Sequence, residues 1–226
     1  MPFYRNRVYP HLVTMLVNPE PIRKIRECLL PLAEGKVLEI GVGPGVNFVH
    51  YDPARVSKVY ALEPNPRMIR HAEQQCRRTS LDVEFLDLPG ERIPLADGSV
   101  DTVVSTFTLC TIREVAEAIR GIGRVLKPGG QLIFFEHGLS PDPRVRRWQE
   151  RTEPFFKWAF EGCHATRDIP SLIGKGDLRS SRSKQHTFSV PKIGIVRPLG
   201  GRTSGALTAD KIQRFCPGVC CNRATG

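Results

Sequence analysis

The residues with the clearest chemical potential lie in a glycine-rich segment, Glu39-Ile-Gly-Val-Gly-Pro-Gly45, which follows an apolar stretch. Glycines at the carboxyl end of a strand let the backbone turn sharply and approach a ligand closely. The spacing is Gly-x-Gly-x-Gly, so it meets neither the dinucleotide fingerprint nor the phosphate-loop pattern. Two interpretations stay open, namely a loop that binds another nucleotide-like cofactor and a plain tight turn.

Glu63 is the second candidate, and it ends the next apolar stretch along the chain. An acid about 20 residues beyond the first loop glycine accepts ribose hydroxyls in nucleotide-binding folds. The alternative is an acid that interacts with the dipole of the helix predicted to begin after Asn65. Together, the glycine loop and the acid favour a cofactor site.

The elements that must position these residues alternate between strand and helix patterns from residue 20 to about 140, which predicts a parallel sheet with helices on both faces. Pro21 opens a helix that Pro31 ends or bends, and Asn65 caps another. A helix over Arg113–Leu126 is predicted to stop at Lys127-Pro-Gly-Gly130. The predicted strands are Lys36–Ile40, Ser57–Leu62, Val83–Leu86, Val100–Thr106 and Gln131–Glu136.

The net charge of +10 is concentrated near the carboxyl terminus. Residues 174–226 hold ten Lys or Arg and two acids, so the rest of the chain is close to neutral. The positive charge therefore belongs to this tail and not to the rest of the chain. Because the rest of the chain is nearly neutral, nucleic-acid binding is not expected. Within this tail only Ile193–Val196 has the pattern of a strand.

Composition also bears on compartment and metals. No apolar run is long enough for a membrane span, and Leu12–Val17 is too short for a signal peptide, so a cytoplasmic protein with reduced thiols is expected. The seven cysteines include Cys216-x3-Cys220-Cys221, which lacks a matching Cys/His pair. We therefore expect no metal site.

Several segments in order make the chain resemble the class I S-adenosylmethionine-dependent methyltransferases of small-molecule type. The flanking segments Phe3–Pro10 and Gly162–Asp168 are similar to the branch with thiol and phospholipid substrates. The resemblance implies a Rossmann-like, doubly wound, mostly parallel sheet of seven strands. The matching segments are Val37–Gly45, Ala61–Asn65, Gly90–Leu95, Ser99–Val104 and Arg124–Gly130.

The resemblance also implies three regions and a cofactor, S-adenosylmethionine. Residues 1–34 form an N-terminal helical cap, and residues 35–173 form the domain that binds the cofactor. Residues 174–226 are an atypical basic tail in which the family's last strand pair is not recognisable. That tail is either a divergent extension, disordered or not, or a non-native product of a shifted reading frame.

The cofactor contacts that the resemblance implies follow the carboxyl edge of the sheet. They are Glu39 to the methionine ammonium, Gly41, Gly43 and Gly45 to the cofactor backbone, Glu63 to the ribose, Gly90 and Glu91 beside the adenine, and Thr106 and Phe107 beside the sulfonium.

His137, at the end of the fifth predicted strand, is the candidate catalytic residue. A sulfonium is an activated methyl donor, so the protein mainly aligns the reactants, but a thiol acceptor must also lose its proton. An imidazole titrates near pH 6.5 and suits that task. A structural histidine is the alternative. Cys110 and Cys163 are expected to be packed thiols, and His164 and Arg167 are weaker candidates that a salt bridge to Asp168 or a helix cap also explains.

The expected acceptor is a small-molecule or lipid-like compound: a thiol, an amine, a phospholipid headgroup or a quinone-like ring. Five aromatic residues between Trp148 and Phe160 form either a cap over its pocket or a core helix. Nearby arginines are either solvated or steer an anionic or lipidic acceptor, which leaves peripheral membrane contact open. The rival classes are an NAD-dependent oxidoreductase and a non-catalytic basic binding protein.

Overall fold

A computed structural model describes residues 18–140, 142–160, 162–175 and, for its backbone alone, 192–196. Its centre is a six-stranded sheet with the order β3-β2-β1-β4-β5-β6. The strands are β1 (Gly35–Ile40), β2 (Val56–Leu62), β3 (Val83–Leu86), β4 (Val100–Thr106), β5 (Leu126–Glu136) and β6 (Lys192–Val196).

The first five strands pair in parallel, and β6 pairs antiparallel with β5. The predicted strand at Ile193–Val196 is therefore confirmed, and its backbone covers the edge of β5 between Leu132 and Glu136. The rest of the predicted tail lies outside the described residues, as does the segment Phe3–Pro10. The doubly wound, mostly parallel fold is confirmed.

Proline and capping residues determine where two of the helices end or begin. Pro31 ends the first helix, because Leu30–Leu32 forms only a short 3-10 turn. The Asn65 side chain accepts a hydrogen bond from the backbone N–H of Arg67 at 3.0 Å, which confirms the predicted cap. The helices are α1 (Glu20–Leu29), α2 (Pro66–Cys76), α3 (Val115–Val125), α4 (Pro143–Ala159) and α5 (Ile169–Lys175).

Helix α3 ends at Val125, as the segment Lys127-Pro-Gly-Gly130 predicted, but this segment is itself part of a strand. It lies inside β5, which begins at Leu126, and the pairing with β4 shifts register between Val100 and Thr102. Gly129 has φ 82°, a conformation that costs glycine little. Because the irregular pairing includes Lys127–Gly130 in the strand, β5 is longer than predicted. The helix α3 is shorter than predicted.

Each face of the sheet carries its own apolar core. On one face, Ile119 and Ile122 of α3 and Ile169 of α5 pack against β4 and β5. On the other, Leu29 of α1 and Ala72 of α2 pack against β1 and β2. This layering leaves the carboxyl ends of the parallel strands uncovered, and the order reverses between β1 and β4, where such folds bind ligands.

Candidate active site

A cavity of about 650 Å³ opens at the carboxyl ends of β1, β2, β4 and β5. Most of the residues predicted from sequence line it, and these are Gly41, Gly43, Glu63, Gly90, Glu91, Thr106, Phe107 and His137. Glu39 and Gly45 are not among its lining residues. The local motifs therefore converge on one cavity, although the sequence separates them by up to a hundred residues.

The three loop glycines all have positive φ, but they meet different surroundings. A Cβ on Gly41 would lie 2.3 Å from the Thr108 side chain, and one on Gly45 would lie 2.7 Å from the Ala72 Cα. A Cβ on Gly43 would meet no atom closer than 4.0 Å. Gly41 and Gly45 thus have no room for a side chain beside Thr108 and Ala72, whereas Gly43 keeps space open at the cavity wall.

Gly43→Ala is expected to weaken binding of S-adenosylhomocysteine by more than its effect on stability explains. Its control is Gly98→Ala, because Gly98 has φ 58°, close to the 55° of Gly43, and also has open space around it. Both variants should lose roughly 1–2 kcal/mol of stability from left-handed strain. Only Gly43→Ala should lose affinity in a calorimetric titration, and equal affinities would show that no ligand approaches this loop.

Glu63 ties the glycine loop to the start of α2. It is 8% exposed, its Oε2 accepts from the Gly43 N–H at 2.9 Å, and its Oε1 accepts from the Asn65 N–H at 3.0 Å. Carboxylate oxygens accept more than one hydrogen bond each, so these contacts are compatible with hydrogen bonds from a ribose. Glu63 also precedes the N-terminus of α2, where a negative charge interacts favourably with the helix dipole. Both roles are compatible with this position, and the ribose contact stays a prediction.

Glu39 lies beneath the cavity wall in a buried polar chain. Its carboxylate accepts from the Asn47 amide at 2.8 Å and from the Tyr51 hydroxyl at 2.6 Å. Arg26, which lines the cavity, donates from Nε to the Asn47 Oδ1 at 2.8 Å. Burial raises the pKa of Glu39 to about 7, opposed by the hydrogen bonds from Tyr51 and Asn47 and by the charge of Arg26. The predicted ammonium contact stays a prediction.

Glu39 should make stability depend on pH. Its folded pKa lies above the ordinary value of 4.5 for a glutamate, so the folded state holds a proton that the unfolded chain releases between these values. The stabilisation is complete below the unfolded pKa and is lost as the pH rises through about 7. Urea unfolding should show a smaller decline in Glu39→Gln than in the wild type, because the remaining decline belongs to Glu136, whose pKa burial also raises. The exposed Glu73→Gln is the control, and a decline as large in Glu39→Gln as in the wild type would contradict the assignment.

Sequence inspection did not identify Arg26, Asn47 or Tyr51 as site residues. One indication was present, because Arg26 occupies the same helix face as the apolar Ile22, Ile25 and Leu29 of α1. A charged side chain on such a face is 1% exposed here and requires buried partners. Asn47 and Tyr51 carry no comparable pattern.

The loop after β4 is held by the buried carboxylate of Glu136. It accepts from the Ser105 hydroxyl at 2.6 Å and from the backbone N–H groups of Thr108, Leu109 and Cys110 at 3.0 to 3.2 Å. Burial raises the pKa of Glu136, and these four donors oppose the rise. The carboxylate thereby fixes the loop that carries Cys110.

His137 meets both buried thiols. Its Nδ1 lies 3.4 Å from the Cys163 Sγ and 3.7 Å from the Cys110 Sγ. The hydrogen bond with Cys110, and then the one with His137, lowers the pKa of Cys163 below its ordinary value. The pairing with Cys163 and burial raise the pKa of Cys110. Both thiols are buried as expected, and they form a cluster with the candidate catalytic residue.

The weaker candidates take different places. His164 lines the cavity, and its Nδ1 lies 3.1 Å from a carboxylate oxygen of Glu153. Arg167 donates to the carbonyls of Leu109 and Ile112 at 2.6 and 2.7 Å, so it pins the same loop.

The aromatic residues of α4 divide into two groups. Trp148, Phe155 and Trp158 are 55 to 67% exposed, so the core-helix alternative is wrong. Phe156 and Phe160 line the cavity, as the cap interpretation predicted. Among the described residues, no helix is long and apolar enough to span a membrane.

The cysteines outside the cluster were expected to be reduced. Cys76 is a free thiol. Cys28 is disulfide-bonded, so the expectation is wrong at that position. The segment Cys216–Cys221 lies outside the described residues.

Comparison with known proteins agrees with this architecture. A model of the methyltransferase domain family matches residues 38–134. Thiol S-methyltransferase TMT1B of Homo sapiens is 36% identical over 175 residues, covering 71% of this chain and 70% of that protein. Thiol S-methyltransferase TMT1A of Homo sapiens is 32% identical over 196 residues, covering 82% and 79%. The solved structure of YcgJ from Bacillus subtilis gives a TM-score of 0.59 at 20% identity, covering 70% of this chain and 68% of that one, which supports the fold alone.

The chain therefore belongs to the S-adenosylmethionine-dependent methyltransferases. The predicted family, fold and enzyme class are confirmed, and the oxidoreductase and binding-protein alternatives are not supported.

Proposed function

We propose that the enzyme transfers the methyl group of S-adenosylmethionine to a small thiol. The observation that carries this proposal is the set of residues that line the cavity. Gly43 and Glu63, suited to a nucleoside, line the same cavity as His137 and Cys163, suited to an acceptor that must lose a proton. Two relatives named as thiol S-methyltransferases support the same acceptor class.

The cofactor half of the proposal rests on the carboxyl edge of the sheet. Glu63 accepts hydrogen bonds from the ribose hydroxyls, and the loop glycines Gly41 and Gly43 give the cofactor close access to the backbone. Gly45 supports that loop by its packing on α2. The Glu39 carboxylate, which lies beneath the cavity wall, attracts the methionine ammonium of the cofactor. The remaining proposed contacts are Gly90 and Glu91 beside the adenine, and Thr106 and Phe107 beside the sulfonium.

The acceptor half of the proposal concerns methyl transfer and the removal of the thiol proton. The acceptor sulfur forms a bond to the methyl carbon while the bond from that carbon to the sulfonium breaks. The electron pair of the broken bond stays on the leaving sulfur, which gives S-adenosylhomocysteine. The proton of the thiol passes to His137, because a free thiol with a pKa near 8.5 is mostly protonated at neutral pH.

The acceptor wall is apolar. Phe107, Phe156 and Phe160 line the cavity, as does His137, and the centroids of the Phe107 and His137 rings lie 4.7 Å apart. An alkyl thiol buries its chain against these rings, whereas a charged thiol loses hydration where its charged group lies against them. We therefore expect uncharged alkyl thiols to be preferred over charged ones of similar size.

The test supplies tritiated S-adenosylmethionine with matched alkyl thiols, alcohols and primary amines. The expected product is the methyl thioether, formed with S-adenosylhomocysteine in equal amount. Methylation of the amine or the alcohol with no thioether, by folded protein that binds S-adenosylhomocysteine, would overturn the thiol assignment while leaving the cofactor site in place.

A further inference from the structure

Three potential metal ligands from separate parts of the chain converge beside the cavity. They are Cys110 after β4, His137 after β5 and Cys163 after α4, and their donor atoms all lie within 4.8 Å of one another. Cys110 and Cys163 are buried, at 0% and 2% exposure. His137 and Cys163 line the cavity.

The separations match the edges of one coordination tetrahedron. Bond lengths near 2.3 Å for Zn–S and 2.05 Å for Zn–N give edges of about 3.8 Å between sulfurs and about 3.6 Å from sulfur to nitrogen. The Cys163 Sγ lies 3.7 Å from the Cys110 Sγ, and the Nδ1 of His137 lies 3.4 and 3.7 Å from the two sulfurs. Each value is within about 0.2 Å of its tetrahedral edge. All three pairs therefore lie at separations that one tetrahedral ion can span.

The ligands are also held in place by their surroundings. The N–H of Cys110 donates to the Glu136 carboxylate at 3.2 Å, and its carbonyl accepts from the N–H of His164 at 2.8 Å. Arg167 fixes the carbonyls on both sides of this loop. Metal sites depend on such second contacts to orient their ligands.

We infer that Cys110, His137 and Cys163 bind a zinc ion whose fourth coordination position faces the cavity and takes the sulfur of the acceptor thiol. Two sulfurs and one imidazole with one open position are typical of catalytic rather than structural zinc. The described residues contribute no fourth ligand to the cluster. This inference deepens the proposed function and rests on it for the identity of the acceptor.

The site gives His137 a more specific role. A thiol bound to zinc is deprotonated, and its proton is released to solvent. The bound sulfur then forms its bond to the methyl carbon as the methyl–sulfonium bond breaks, and S-adenosylhomocysteine leaves with that electron pair. His137 then acts as a ligand of the ion, and release of the thiol proton to solvent replaces the transfer to His137 given in the proposed function.

The test measures metal in the purified full-length chain after reconstitution with zinc and exhaustive dialysis. One equivalent is expected in the wild type, in Cys76→Ser and in a variant with Cys216, Cys220 and Cys221 replaced by serine. Loss of zinc is expected in Cys163→Ser and in Cys110→Ser, with folding verified by circular dichroism. Cobalt substitution should give the absorption of a tetrahedral thiolate site, and an added alkyl thiol should shift it.

Each failure has its own meaning. Zinc that is absent from the wild type, or that is lost only with the three tail cysteines, overturns the metal site. A Cys110–Cys163 disulfide found by mass spectrometry in non-reduced protein that cannot be loaded with zinc overturns it as well. Thioether formation by metal-free protein at the wild-type rate would leave the proposed function standing without the metal. A loaded cobalt site that ignores thiols, in protein that methylates none, would remove both the thiol function and the open position.

Discussion

His137→Ala is expected to lower kcat for methyl transfer to an alkyl thiol by about 10²–10⁴-fold, the range of a lost acid–base contribution. The expectation follows from the position of the imidazole, which lines the cavity and lies within 3.4 Å of the Cys163 sulfur. Without it, the acceptor loses the group that takes its proton or, as a zinc ligand, holds the ion that promotes its ionisation. The measurement is single-turnover methyl transfer at saturating S-adenosylmethionine.

Two comparisons make the His137 result specific. An aromatic thiol that is already ionised at neutral pH should lose much less rate than an alkyl thiol, because it no longer needs its proton removed. Affinity for S-adenosylhomocysteine should be retained. His50→Ala is the matched control, since His50 lies in the short turn Phe48–His50 and is not a lining residue of the cavity. Full turnover of alkyl thiols by His137→Ala would dismiss the catalytic assignment.

Glu63→Ala is expected to weaken binding of S-adenosylhomocysteine by about 1–2 kcal/mol, or roughly five- to thirtyfold in Kd. The carboxylate lines the cavity and would lose its charge-assisted hydrogen bonds to the ribose. Calorimetric titration measures the change, with the exposed Glu73→Ala of α2 as control.

The loop contact of Glu63 calls for a second measurement, because its carboxylate also holds the Gly43 N–H. An analogue of S-adenosylhomocysteine that lacks both ribose hydroxyls should bind the wild type more weakly. The same analogue and its parent should bind Glu63→Ala alike, since the partner of the hydroxyls is gone. If the two ligands differ equally in both proteins, Glu63 serves the loop and α2 alone.

The fold was predictable where local patterns dominate. Val83–Leu86 and Val100–Thr106 match the predicted strands, because each is a short apolar or β-branched run bounded by turn residues. The start of β5 was not predictable. Pro-Gly-Gly normally breaks structure, and only the pairing of Leu126 with Val100 of the neighbouring strand draws those residues into the sheet.

In the active site, too, some residues could be placed from the sequence and others could not. The glycine loop and Glu63 follow a spacing that reflects one βαβ unit, so their convergence could be predicted. The cluster at His137 could not, because Cys110 and Cys163 are 27 and 26 residues from it in sequence and no spacing pattern connects the three. Their meeting depends on the loop held by Glu136, which is a long-range contact.

Calorimetric titration of the full-length chain with S-adenosylhomocysteine, and separately with NAD, tests the central claim most directly. The account predicts one binding event for S-adenosylhomocysteine, weakened in both Glu63→Ala and Gly43→Ala, and none for NAD. Folded protein that fails to bind S-adenosylhomocysteine, or that binds NAD in its place, would contradict the methyl-donor site.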